Sequence, residues 1–154
     1  MKDIDMSSSK PITILMADDD ADDRLLFEEA VEEAQLVNNV EFAVDGIDLL
    51  DRLKSKGKYV DKNKNDLPDL ILLDLNMPRM DGREALEEIR KDADIKGIPV
   101  VIMTTSEAEE DIIKTYDLGA SGYITKPVTF ESLIETIQVV TDYWVNIVKL
   151  PKRH

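Results

Sequence analysis

Residues 70–73 read Leu-Ile-Leu-Leu and are followed at once by Asp74. A strand with aliphatic residues on both faces is covered on both faces, which is the condition of an inner strand in a parallel sheet. An ionised carboxylate within such a strand would be costly without a partner, so Asp74 belongs at the strand's exit. Four further short apolar segments, at 12–17, 40–44, 99–104 and 122–125, read as strands of the same kind. Between them apolar residues recur with helical spacing at 21–36, 46–56, 82–91 and 107–118, and a fifth helix is expected from 129. Strands alternating with amphipathic helices predict an α/β fold around a parallel sheet. The punctuation agrees: Asp45-Gly46 and Asp81-Gly82 mark strand-to-helix turns, Ser106 and Glu109 have capping-box spacing, and Gly119 is a helix stop.

The 154 residues suit one domain, and a formal charge of −14 would repel a phosphate backbone, so no nucleic-acid partner is expected. Cysteine is absent and the one histidine is His154, which leaves oxygen as the donor for any metal. The amino terminus lacks an apolar leader core, and no run of about 18 apolar residues occurs. No membrane partner is therefore expected, and the cytoplasm is the expected location. The expected organisation is a flexible amino terminus over 1–10, a folded unit over 11–140 and an extension of the last helix over 141–154. The Lys/Asn-rich connection at 54–68 reads as an exposed loop.

In doubly wound sheets ligands bind at the carboxyl ends of the strands, where the strand order reverses. Asp18, Asp19 and Asp20 follow the first strand, Asp74 ends the third, Thr104 ends the fourth and Lys126 follows the fifth. Carboxylates gathered there would repel and would call for a hard divalent cation such as Mg2+, with Lys126 left as a point charge for a phosphate. Each residue also has a plainer reading. The Asp triplet suits a helix cap, with Asp20 capping while Asp18 and Asp19 ligate; Asp74 suits a turn, Thr104 a β-branched strand position and Lys126 a solvated loop.

Taken jointly, the acidic pair, "LLDLNMPRMDG", "PVVIMTT" and "GASGYITKP" resemble, in order and spacing, the receiver domains of two-component response regulators over roughly 11–140. The resemblance implies a flavodoxin-like, doubly wound five-stranded parallel sheet of order 2-1-3-4-5 with five helices. It implies that Asp74 accepts phosphate, that Asp19 binds Mg2+ directly and Asp18 through water, and that Asn76 contributes its backbone carbonyl. By the same resemblance Lys126 pairs with the phosphoryl group, Thr104 is the switch hydroxyl and Tyr123 the switch aromatic. Tyr123 also fits a half-buried strand aromatic with its hydroxyl in water. Thr105 stands where the family usually has Ala or Ser, which implies tighter access, and Ala21 replaces a frequent Pro.

The implied function is a phosphoacceptor signalling protein rather than an enzyme, with self-phosphorylation and autodephosphorylation chemistry and a sensor histidine kinase as partner. The long connection and the ending "YWVNIVKLP" further resemble stand-alone response regulators that partner bacterial and cyanobacterial phytochromes. Three rivals remain. A haloacid-dehalogenase-type phosphatase would need a Thr or Val shortly after its Asp-x-Asp and a cap region. A flavodoxin-like electron carrier would place three aspartates against a flavin phosphate, and a pure interaction module would never turn over phosphate. The apolar stripe of the fifth helix, Leu133, Ile134, Ile137 and Val140, continues through Tyr143, Trp144, Ile147 and Val148. A helix over 129–149 would run roughly 30 Å. Its end is expected to fold back on the domain, to form a homodimer or to dock a kinase.

Overall fold

A computed structural model of the chain describes residues 12–35, 39–61 and 66–147. The elements alternate as expected: β1 (Thr13–Ala17), α1 (Ala21–Glu33), β2 (Asn39–Ala43), α2 (Gly46–Lys54), β3 (Leu70–Leu73), α3 (Gly82–Lys91), β4 (Val100–Thr104), α4 (Glu109–Asp117), β5 (Gly122–Thr125) and α5 (Phe130–Thr141). All strand pairs are parallel, in the order β2-β1-β3-β4-β5. Successive strand residues point to opposite faces, which sorts the apolar positions into two cores. Leu15, Ile71, Leu73 and Ile102 meet α2 and α3 through Leu49, Leu53, Leu86 and Ile89. Ile14, Met16, Leu72 and Met103 meet α1 and α5 through Phe27, Ala30, Ile137 and Val140. Every residue of the inner strands β3 and β4 is buried, whereas the edge strands β2 and β5 are mostly half-buried.

The caps set where helices begin. Asp20 accepts from the amides of Asp22 and Asp23, Asp45 from Asp48, and Asp81 forms a capping box with Glu84. A cap contributes about 1 kcal/mol, whereas each fully buried Leu or Phe contributes roughly 1.5–3 kcal/mol, so packing holds the helices and caps place their ends. One expected cap is corrected. Ser106 is not the cap of α4, which starts after Ala108 without a side-chain cap bond; its hydroxyl instead donates to Asp111 at 2.7 Å. Gly119, at φ +108°, follows α4 as expected of a stop.

The connection after α2 holds a short 3-10 turn, Gly57–Tyr59, tethered by the Tyr59 hydroxyl donating to buried Asp48 at 2.8 Å. Burial and the Asp48 carboxylate push the Tyr59 hydroxyl up to about 12, so it stays a donor at every physiological pH. The expected continuous last helix is also corrected. After Thr141 the chain widens into a π-helical stretch, Asp142–Ile147. Leu133 and Ile134 pack on the α1/α5 core as predicted, and so does Trp144, while Tyr143 stays exposed with its ring edge-on to Trp144 at 5.2 Å. The expected flexible segment 1–10 and residues 148–154, with Val148 and Lys149, lie outside the described residues.

Trp144 is the only tryptophan. Its replacement by Ala is expected to destabilise the fold by about 2 kcal/mol, read as a lower urea midpoint. An unchanged midpoint would show that its ring contributes no cover.

Candidate functional site

The β1–β3 register pairs Ala17 with Leu73, so Asp18 and Asp74 leave the sheet side by side. The Asp74 amide donates to the Ala17 carbonyl at 3.0 Å and the Asp18 amide to Ala43 at 3.0 Å, which fixes both backbones to neighbouring strands. On the other flank Thr104 pairs with Thr125, and the Lys126 amide donates to the Thr104 carbonyl at 2.7 Å. β1 sits between β2 and β3, so the chain departs in opposite directions from β1 and β3, and this edge is the crevice where such sheets bind ligands.

There the Lys126 ammonium donates to Asp18 at 2.8 Å, Asp23 at 2.8 Å and Asp74 at 3.1 Å. Asp18 is fully buried, Asp74 nearly so, and Asp19 is exposed. One carboxylate oxygen each from Asp18, Asp19 and Asp74 lies within 4.8 Å of the others. Like charges at that spacing repel by roughly 3 kcal/mol or more at an effective dielectric of ~20. Three carboxylates thus share one ammonium, with Asp19 close by. Burial would depress Lys126, but the bonds to Asp18 and Asp23 and the surrounding charges hold it above the usual lysine range. Burial raises Asp18 above its ordinary value of 3.8, and a third of an ammonium together with the Asp20 amide does not offset it. A cluster of hard oxygen donors with unrelieved negative charge fits Mg2+, which Asp18, Asp19 and Asp74 would hold.

Asp23 was not among the sequence candidates. The signal was available, because capping by Asp20 puts Asp23 in the first turn of α1, facing the strand ends. Thr104 is fully buried and its hydroxyl has no partner among the described residues. The Tyr123 ring packs beside the α2/α3 core, and its hydroxyl donates to the Ser106 carbonyl at 3.0 Å rather than standing free in water. Arg83, also absent from the sequence candidates, donates to Asp111 at 2.7 Å. The Ser106 hydroxyl and Arg83 together hold the Asp111 carboxyl below the usual range. Thr105 is exposed, and so is Asn76, whose amide reaches the Asp74 carboxylate at 3.4 Å. Gly82 opens α3 against the acidic site: a Cβ there would lie 2.2 Å from the Asp74 carbonyl oxygen.

A family model described as the response regulator receiver domain matches residues 14–138. The chain belongs to that family. It is 36% identical over 144 residues to the response regulator Rcp1 of Synechocystis sp., covering 94% of this chain and 96% of the relative. Among solved structures, the phosphorylated cyanobacterial phytochrome response regulator RcpA is 36% identical with a TM-score of 0.84, covering 92% of this chain and 99% of that one. The Mn2+-bound form of Rcp1 matches over the same shares at a TM-score of 0.81. The receiver is thus a signalling protein of the two-component type, homologous to stand-alone phytochrome response regulators, and its acidic pocket fits the Mg2+ site of receiver domains. Among the described residues no helix is long and apolar enough to cross a membrane.

Two outcomes follow from the geometry. A carboxyl raised above its ordinary value detracts from stability when ionised, and that loss fades as pH falls through its folded value toward 3.8. Asp18→Asn is therefore expected to raise the melting temperature of the metal-free receiver at neutral pH by a few degrees, ~1 kcal/mol moving it about 2–4 °C at this size. A lower melting temperature would contradict the repulsion. Gly82→Ala forces Asp74's backbone aside and is expected to lose about 2 kcal/mol, visible in urea titration.

Proposed function

We propose that Asp74 is the phosphoacceptor of a stand-alone response regulator, taking the phosphoryl group from a phosphohistidine of a sensor histidine kinase. An Asp74 carboxylate oxygen attacks phosphorus, the P–N bond to the histidine breaks, and an acyl phosphate remains. The observation that carries this reading is the reach of one ammonium, Lys126, to both Asp74 and Asp18 at the carboxyl edge of the sheet. In-line phosphoryl transfer needs positioning and charge neutralisation more than covalent help, and these residues offer both. Asp18, Asp19, Asp74 and the Asn76 carbonyl would hold Mg2+, which would supply further positive charge to the transferring group. Lys126 gives its donors to the phosphoryl oxygens. Self-phosphorylation by small acyl phosphates and later hydrolysis, in which water attacks phosphorus and restores the carboxylate, use the same groups.

The Thr104 hydroxyl then donates to the new phosphoryl group, and Tyr123 follows it, changing the α4–β5 surface. The message leaves by protein contact. Leu26, Val128 and Phe130 are exposed beside Asp23 and Lys126, Val128 by 96%, and suit docking of a kinase helix. The named relatives favour a phytochrome-type kinase as the donor, and the cytoplasm is the proposed location. The receiver proper is 11–140. The 141–154 extension, with exposed Tyr143 beside Val139, serves a homodimer or kinase contact.

Mass spectrometry after acetyl phosphate and Mg2+ is expected to show one added phosphate that Asp74→Asn lacks; an undiminished adduct in that variant refutes the assignment. Mg2+ is expected to stabilise the wild type by about 1.4 kcal/mol at tenfold over Kd. Asp19→Ala abolishes that shift if Asp19 is a ligand. Light scattering on the full chain and a form ending at Thr141 tests the homodimer, which is excluded if both stay monomeric with and without phosphorylation.

A further inference from the structure

Arg79 lies in the loop between β3 and α3, five residues past Asp74, with φ +64°. This is the left-handed region that favours glycine, and the Met80 amide closes a three-residue turn around it on the Pro78 carbonyl at 2.7 Å. A bulky residue kept in that conformation has to gain through its side chain. The Arg79 guanidinium grips buried Asp45 with two donors, Nε at 2.7 Å and a terminal nitrogen at 3.1 Å. Asp45 is also the cap of α2, accepting from Asp48 at 2.8 Å. The next residues repeat the attachment, since the Gly46 amide donates to the Met80 carbonyl at 3.0 Å, and a Cβ on Gly46 would lie 2.3 Å from that oxygen. The loop is therefore pinned to the first turn of α2, while Asn76 between the two is exposed.

We infer that Arg79 is a positioning residue, whose two-pronged bond to Asp45 sets the loop carrying Asp74 and the Asn76 carbonyl in place for the divalent cation. This rests on the proposed metal and phosphoacceptor roles of those two residues. Burial works against the Asp45 charge, yet the Arg79 bond and the Asp48 amide hold its carboxyl below the usual range, so the clamp persists through mildly acidic pH. The clamp also gives α2 a mechanical link to the site that the sheet does not provide.

Arg79→Gly separates the side chain from the backbone, because glycine accepts the left-handed turn without strain. Its Mg2+ dissociation constant, by calorimetry, is expected to rise about tenfold, and phosphorylation by phosphoramidate to slow in step, while the metal-free urea midpoint holds or falls only slightly. Arg79→Lys, with one point of attachment instead of two, is expected to fall between. Asp45→Asn, which can still cap α2, is expected to weaken Mg2+ in the same direction. Wild-type Mg2+ affinity in Arg79→Gly overturns the inference, as does equal weakening in Lys and Gly variants with a large loss of midpoint, which marks a merely structural bond. If the wild type takes up neither Mg2+ nor phosphate, the functional reading itself falls; if it takes up both and Arg79→Gly matches it, the positioning role alone falls.

Discussion

The ammonium of Lys126 stands among Asp18, Asp23 and Asp74, and the edge of the sheet depends on it. Strand pairing brings the backbones of Asp18 and Asp74 side by side whatever their side chains do, so the register fixes the repulsion in advance. A buried ion pair gains little over an apolar substitute, but removing one partner strands the other. Lys126 is accordingly better understood as the group that makes the acidic edge tolerable than as a source of net stability. Three carboxylates sharing it remain undercompensated, and this shortfall gives a divalent cation its reason to bind.

The fold was legible because its signal is periodic. Two inner strands with no polar face, β3 and β4, could be covered only by helices on both sides, and the helical spacing between strands supplied them. The site was legible to the extent that its residues sit at strand ends, where topology alone brings Asp18, Asp74, Thr104 and Lys126 together. What escaped were contacts decided by side-chain reach. Asp23, Arg79 and Arg83 look like ordinary surface charges in the sequence, and only the path of the chain shows which carboxylate or ammonium each meets. Ser106 misled for a related reason: its spacing to Glu109 suits a cap, but its hydroxyl is taken by Asp111.

The far end of the chain shows tertiary packing overriding a pattern. The apolar stripe of α5 runs on past Thr141, and helical spacing alone extends the same winding. The backbone widens there instead, and Trp144 is applied to the core shared by α1 and α5. Part of the aromatic surface that would suit a partner is thereby used by the domain itself, leaving Tyr143 and Val139 outward.

The buried hydroxyl of Thr104, without a hydrogen-bond partner among the described residues, gives the unmodified receiver an energy gap to close. A donor left unmet in the interior costs about 1–3 kcal/mol. An arrangement that offers it an acceptor is favoured by that amount, which corresponds to about 5–150-fold in the ratio of two conformers. On the proposed reading a phosphoryl group on Asp74 is one such acceptor, so part of the drive for the rearrangement is already held in the unmodified fold.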